Sequence, residues 1–209
     1  MIISLVDEQA LALAAAAVAR GECVVLPTDT VYGIGADATS PSAVQRLLDA
    51  KRRGRDMPPP VLLPDADRLD DVAKDIPPAA RALAAAFWPG GLTLILTARL
   101  PLDLGDRPET IAVRVPDHDG ARALLRATGL LAVSSANVSG EPPATTAEIA
   151  AAMLADTVAV YLDGGATPGD SPSTIVDYSG PRPRVVRQGV IGLAALRGVD
   201  PDIEGAPGA

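Results

Sequence analysis

The sequence predicts an α/β protein, a sheet flanked by helices, from three observations. Hydrophobic residues make up 48% of the chain and aromatic residues only 2%, so the core is built from Ala, Val, Leu and Ile. Alanine-rich stretches, which let helices pack closely on a sheet, alternate along the chain with short apolar runs. Stretches rich in Gly, Ser, Thr and Asn follow the ends of several of those runs, which is where α/β sheets bind ligands. A length of 209 residues suits one domain, expected over residues 1–197, with the Gly-, Pro- and Asp-rich residues 198–209 as a disordered tail.

Residues 7–20 read as a helix that Gly21 stops, and 23–26 as a short buried strand ended by Pro27. Thr28-Asp29-Thr30-Val31-Tyr32-Gly33-Ile34-Gly35 follows, either an ordinary turn or a ligand loop. Ser40 caps and Pro41 opens a helix with Val44, Leu47 and Leu48 on one face, and Gly54 offers the exit. Pro58-Pro59-Pro60 enforces an extended approach to a strand over 61–63. A helix from Pro77 and Pro78 to Trp88 is broken by Pro89-Gly90-Gly91, and strands follow at 92–97 and 110–115. A helix over 120–127 leads to a strand at 130–133 and then to Ser134-Ser135-Ala136-Asn137-Val138-Ser139-Gly140, a serine-rich turn or an array of neutral donors. Thr145 to Glu148 fits a capping box, and strands at 158–162, 173–177 and 185–187 complete the set.

Composition excludes several function classes. A formal net charge of -8 opposes general nucleic-acid binding, which needs a basic surface. Cys23 is the only cysteine and His118 the only histidine, which removes disulfides, thiolate zinc sites and histidine-based triads. His118 reads as a surface residue between Asp117 and Asp119. The apolar run near the N-terminus follows Asp7 and Glu8, has no basic segment before it and is closed by Arg20, so a soluble, untargeted, cytoplasmic protein is expected.

Against that acidic background Lys51-Arg52-Arg53-Gly54-Arg55 packs four cations into five residues. Such a cluster is either a solvated helix end or the seat of an anion. Arg114 interrupts an apolar strand and shares its face with Ala112 and Thr110, so it needs an internal carboxylate or an anionic ligand.

Seven spaced blocks together closely resemble the YrdC-like family, which contains the threonylcarbamoyl-AMP synthases. They are Pro27-Thr28-Asp29-Thr30-Val31-Tyr32-Gly33, Lys51-x-Arg53, Phe87-Trp88-Pro89-Gly90-x-Leu92-Thr93, Val113-Arg114-Val115-Pro116, Ser135-Ala136-Asn137-x-Ser139-Gly140, Ser173-Thr174-Ile175-Val176-Asp177 and Arg187-x-Gly189. The resemblance spans roughly residues 11–192. It implies a twisted mixed sheet with flanking helices forming a concave pocket, of the short single-domain type. It further implies a nucleotidyltransferase reaction of L-threonine, bicarbonate and ATP that yields threonylcarbamoyl-AMP and pyrophosphate. Protein partners would pass the threonylcarbamoyl group to tRNA, with at most weak local tRNA contact and no membrane.

Carried over by position, Lys51 and Arg53 are the catalytic candidates. With Met57, Thr110, Ser135, Asn137, Pro143 and Arg187 they form the ATP set. Thr30, Leu62, Arg114, Val133 and Ser173 form the threonine set. Met57 stands where a polar or basic residue is frequent, Leu62 lacks the polar group some relatives place there, Pro59 replaces the usual Leu and Gly91 the usual Pro. The sequence shows no carboxylate cage for a metal, so Mg²⁺ is expected to arrive on the ATP phosphates. Two alternatives are a YrdC-like paralogue acting on another carbamoyl substrate and a non-catalytic RNA-binding module. Ser135-Ala136-Asn137 with Lys51-x-Arg53 speaks against the first, and the net charge against the second.

Overall fold

The structure is a computed structural model that describes residues 1–206. The first half of the chain forms β1 (Ile2–Ser4), α1 (Ala10–Ala19), β2 (Val24–Leu26), β3 (Gly33–Asp37), α2 (Pro41–Ala50), β4 (Val61–Leu62), α3 (Leu69–Val72), β5 (Ala73–Lys74), α4 (Pro78–Phe87) and β6 (Leu92–Ala98). The second half forms β7 (Thr110–Arg114), α5 (Asp119–Thr128), β8 (Leu131–Ser135), α6 (Ala147–Leu154), β9 (Val160–Asp163), β10 (Thr174–Asp177), β11 (Arg184–Arg187) and α7 (Leu193–Arg197). The strands make a mixed sheet in the order β1-β9-β2-β3-β8-β4-β7-β6-β10-β11, with β5 added beside β6.

Period-2 alternation gives this sheet two apolar faces. Val24 and Leu26 point to the face covered by α1 and α5, where they meet Ala14, Ala17, Leu124 and Leu125. Val25 and Ile34 point to the other face, where they pack with Val44, Leu47 and Leu48 of α2 and with Leu83 of α4. Local chemistry sets the helix starts. Ser40 Oγ accepts from Ala43 N–H, and Pro41 opens α2. At α1 the acids stay outside the helix: Asp7 instead accepts from Gln9 N–H at 2.8 Å, and α1 begins at Ala10. Thr146, not Thr145, caps α6, and its oxygen accepts from Ile149 N–H. His118 is a half-buried cap of α5, its Nδ1 accepting from Ala121 N–H at 3.3 Å, and not a surface residue.

The strands β1, β3 and β5 and the short helices α3 and α7 were not anticipated. The most consequential is β3, which runs through the Gly33-Ile34-Gly35 stretch that reads as a turn. Glycine is required there by a close approach: a Cβ on Gly33 would fall 2.6 Å from Cγ1 of Val133 on the neighbouring strand β8. The expected disordered tail is also corrected as far as residue 206. Val185 N–H donates to Glu204 O at 2.8 Å, Glu204 N–H to Pro183 O at 2.9 Å, and Ile203 is buried. The remainder of that tail, 207–209, lies outside the described residues. Among the described residues no helix is long and apolar enough to cross a membrane.

Candidate active site

A cavity of about 400 Å³ opens over the β8-β4-β7-β6-β10-β11 part of the sheet. The strands deliver its wall by register. On β7, alternation presents Thr110, Ala112 and Arg114 together, as the sequence predicts. Thr93 and Arg187 both pair with Ile175, and Leu62 pairs with Arg114, so residues from five strands form one row across the floor. Loops at 28–33 and 53–60 complete the rim.

Ten of the thirteen expected site residues line this cavity: Thr30, Arg53, Met57, Leu62, Thr110, Arg114, Val133, Ser135, Ser173 and Arg187. Lys51, Asn137 and Pro143 do not. Lys51 is 2% exposed and turned inward, away from the wall that Arg53 reaches. Asn137 is also interior, its Nδ2 donating to Val138 O at 2.9 Å and Glu141 O at 2.7 Å. Pro143 is half-buried in the loop before α6.

The cation cluster divides by task. Arg55 pairs with Asp103 and, at 3.7 Å, with Asp106, which ties the 53–60 loop to the loop before β7. Arg52 is exposed and makes the helix exit with φ 52°, the turn that the sequence suggests for Gly54. Arg53 reaches the wall, where its Nη1 donates to Ser134 Oγ at 3.0 Å while its buried Nε has no partner. Desolvation pulls its pKa down, partly offset by the charge of Asp56.

Arg114 answers both readings of its strand position. Its Nη2 donates to Asp29 Oδ1 at 2.6 Å, its Nη1 to Thr30 Oγ1 at 2.9 Å and its Nε to Gly90 O at 2.9 Å, yet the residue also lines the cavity. A guanidinium carries five N–H groups, so these three bonds leave two unused. Burial lowers its pKa and Asp29 raises it back in part. Arg187 grips Ser173 through Nε and Nη2, at 3.1 and 2.9 Å from the Ser173 carbonyl and 3.0 Å from its Oγ. Ser173 Oγ in turn lies 2.8 Å from Thr93 Oγ1. Desolvation lowers the Arg187 pKa, and the positive charges of Arg114 and Arg53 lower it further, so the three arginines share one field.

The Gly91 departure has a structural reason. A Cβ there would fall 2.2 Å from Cγ2 of Val190, so this chain fills with Val190 the space beside Thr30 that a bulkier residue would occupy. Sequence reasoning missed Arg107 and Asp56 on the wall, while Thr28 and Ser134, singled out only as parts of a loop and a donor array, line it too. The signal for Arg107 was its place three residues before Thr110, but the loop clamp that brings it there is a long-range contact.

Comparison with known proteins identifies the family. The family model Sua5_yciO_yrdC, described as telomere recombination, matches residues 16–189. A Mycobacterium tuberculosis protein provisionally named threonylcarbamoyl-AMP synthase is 49% identical over 192 residues, covering 90% of this chain and 88% of that one. The threonylcarbamoyl-AMP synthase of Bacillus subtilis is 40% identical over 190 residues, covering 88% of this chain and 55% of its own length. Among solved structures, P. abyssi Sua5 complexed with L-threonine superposes with a TM-score of 0.91 at 34% identity, covering 99% of this chain and 63% of that one. E. coli YciO superposes with a TM-score of 0.82 at 25% identity, covering 94% and 98% of the two chains. A family match across most of the sequence, on the fold and cavity just described, places this chain in the Sua5/YciO/YrdC family.

Proposed function

We propose that the chain is an L-threonylcarbamoyladenylate synthase, a nucleotidyltransferase that makes threonylcarbamoyl-AMP and pyrophosphate from L-threonine, bicarbonate and ATP for tRNA modification. The observation that carries this reading is the charge of the wall. Among the described residues four arginines, Arg53, Arg107, Arg114 and Arg187, face one cavity with Asp56 as the one carboxylate in its lining and Asp29 paired to Arg114 behind it, an excess of positive charge in a chain of net charge -8. That is a site for a substrate with several negative charges.

The threonine amine captures carbon dioxide as a carbamate, with release of water when bicarbonate is the source. A carbamate oxygen attacks the α-phosphorus of ATP. As that P–O bond forms, the bond to the β-phosphate bridge breaks, and pyrophosphate leaves with its electron pair. No protein nucleophile is required. The protein's work is positioning, exclusion of water from a labile carbamate, and stabilisation of charge on the phosphate oxygens. Arg53 and Arg187 serve the phosphates. The two free N–H groups of Arg114 take the threonine carboxylate bidentately, with Thr30 and Ser173 beside it for the amino acid. Thr110, Met57 and the backbone near Ser135 border the nucleotide, while Leu62 and Val133 pack against threonine. Mg²⁺ arrives on the ATP phosphates, and the reaction belongs in the cytoplasm, where protein partners carry the threonylcarbamoyl group to tRNA.

The test is pyrophosphate release from ATP in bicarbonate buffer across the amino acids. Release that requires threonine supports the assignment, and release that is independent of any amino acid overturns it.

A further inference from the structure

Lys51 ends α2, and its side chain lies behind the cavity wall. Its Nζ donates to Ser135 O at 2.5 Å, to Asn137 O at 2.8 Å and to Asn137 Oδ1 at 3.4 Å. Its backbone carbonyl accepts from Ser139 N–H at 3.0 Å. An ammonium has three N–H groups, so the last residue of β8 and Asn137 in the loop after it take all of them and none remains for a phosphate. Among the described residues no carboxylate forms an ion pair with the ammonium, and the charge of Arg53 adds to burial in lowering its pKa. A buried cation without a counterion is tolerated only where its hydrogen bonds are made; without it Asn137 O and Oδ1 would be left unpaired, while Ser135 O would keep the Asn137 N–H at 2.9 Å.

The segment that Lys51 grips carries the wall. Ser134 and Ser135 face the cavity. Arg53, two residues after Lys51, donates to Ser134 Oγ at 3.0 Å. Ala136 N–H donates to Tyr32 O at 2.7 Å, which joins the loop to β3 and the Thr30 side. One residue therefore sets the distance between the α2 exit and the β8 loop, the two pieces whose side chains meet at the anion end.

We propose that Lys51 is a positioning residue: its ammonium is a strut that holds residues 135–139 against the end of α2, aligning Arg53, Ser134 and Ser135 for a nucleotide, and it touches no substrate. The kinetic half of this inference rests on the adenylate-forming reading of the cavity; the structural half does not.

The experiment compares amide hydrogen exchange of the substrate-free wild-type, Lys51→Met and Arg53→Met chains, and kcat/KM for ATP well below the melting temperature. Lys51→Met keeps the stem and removes the donors. The strut predicts exchange of residues 136–141 faster by about 10-fold or more in Lys51→Met, as Asn137 O and Oδ1 lose their partner, and unchanged in Arg53→Met. It also predicts kcat/KM lower by about 100-fold in Lys51→Met, the effect of misplacing a reacting group by about an ångström. Unchanged loop exchange with lost activity would make Lys51 a direct contact and overturn the proposal. Faster exchange with unchanged kcat/KM would make it merely structural and overturn it equally. If Lys51→Met does not fold, the Nζ resonance of ¹⁵N-lysine-labelled wild-type protein decides. A non-hydrolysable ATP analogue should leave that resonance in place, and phosphorus coupling to it would overturn the strut. An inactive wild-type chain would sink the adenylate reading, while the exchange comparison, made without substrate, still decides the strut.

Discussion

Asp29 Oδ1 accepts two hydrogen bonds at once, from Arg114 Nη2 at 2.6 Å and from the Asp117 backbone N–H at 2.9 Å. The carboxylate is thereby fixed to the end of β7, and it holds the guanidinium in one orientation with two N–H groups left over. The pair is largely withdrawn from water, with side-chain exposures of 8% for Arg114 and 17% for Asp29, so neither partner is removed without consequence for the other.

Arg114→Leu should therefore act twice. It removes the carboxylate anchor, raising the dissociation constant for threonine by about 100-fold or more while ATP binding changes little. It also strands Asp29, for a loss of stability of about 3 kcal/mol. Isothermal titration with each ligand and urea unfolding measure the two effects. Threonine affinity retained alongside the stability loss would reduce Arg114 to a structural ion pair.

Arg53→Ala should separate activity from stability in the opposite way. The Arg53 Nε already lacks a partner, and the side chain makes one hydrogen bond, to Ser134 Oγ, so the fold has little to lose. Loss of a preorganised cation at the transferring phosphoryl group should lower kcat by about 10²–10³-fold. Near wild-type turnover would remove Arg53 from the catalytic set and leave it a wall residue only.

Lys51 carries a pH signature. Burial, reinforced by the charge of Arg53, brings its pKa from 10.5 down to about 8. Between those values the unfolded chain keeps a proton that the folded chain has released, so unfolding becomes harder as pH rises through the window, by up to roughly 3 kcal/mol. Urea unfolding at about pH 7.5 and about pH 9.5 should show wild type gaining stability relative to Lys51→Met. The comparison with the variant matters because Tyr32, raised by burial, pulls the other way as its own range is approached. Equal pH slopes in the two proteins would place the ammonium in water.

Selectivity among amino acids tests the small polar end of the cavity. Thr30 Oγ1 and Ser173 Oγ are both buried and held by arginines, Arg114 and Arg187. A site that hydrogen-bonds a substrate hydroxyl rejects the analogue lacking it by up to ~10⁴-fold, whereas a missing methyl costs about 10 to 200-fold. Pyrophosphate release should thus fall from threonine to serine and furthest for valine. A valine rate above that of serine would mean that shape alone sets the choice.

Much of this arrangement was legible because it follows local rules. Alternation along β7 was enough to put Thr110, Ala112 and Arg114 on one face, and Ser40 with Pro41 was enough to start α2. What was not legible depends on contacts across the chain. Glycines at 33 and 35 suggest a turn until Val133 on β8 supplies the crowding that makes them strand residues. The partner of Arg114 is 85 residues away, and Lys51 turns inward because carbonyls more than 80 residues away accept from it. In both cases the residue type announced a need for partners, and only the fold could name them.

The most direct measurement of the proposed activity is the fate of bicarbonate carbon. Purified protein is incubated with ATP and ¹⁴C-bicarbonate, with and without L-threonine, and the nucleotides are separated. Label should enter an AMP-containing product only when threonine and ATP are both present, in amounts matching the pyrophosphate released. Pyrophosphate release with no label in the nucleotide fraction, or equal labelling without threonine, would contradict the assignment of this cavity to threonylcarbamoyl-AMP synthesis.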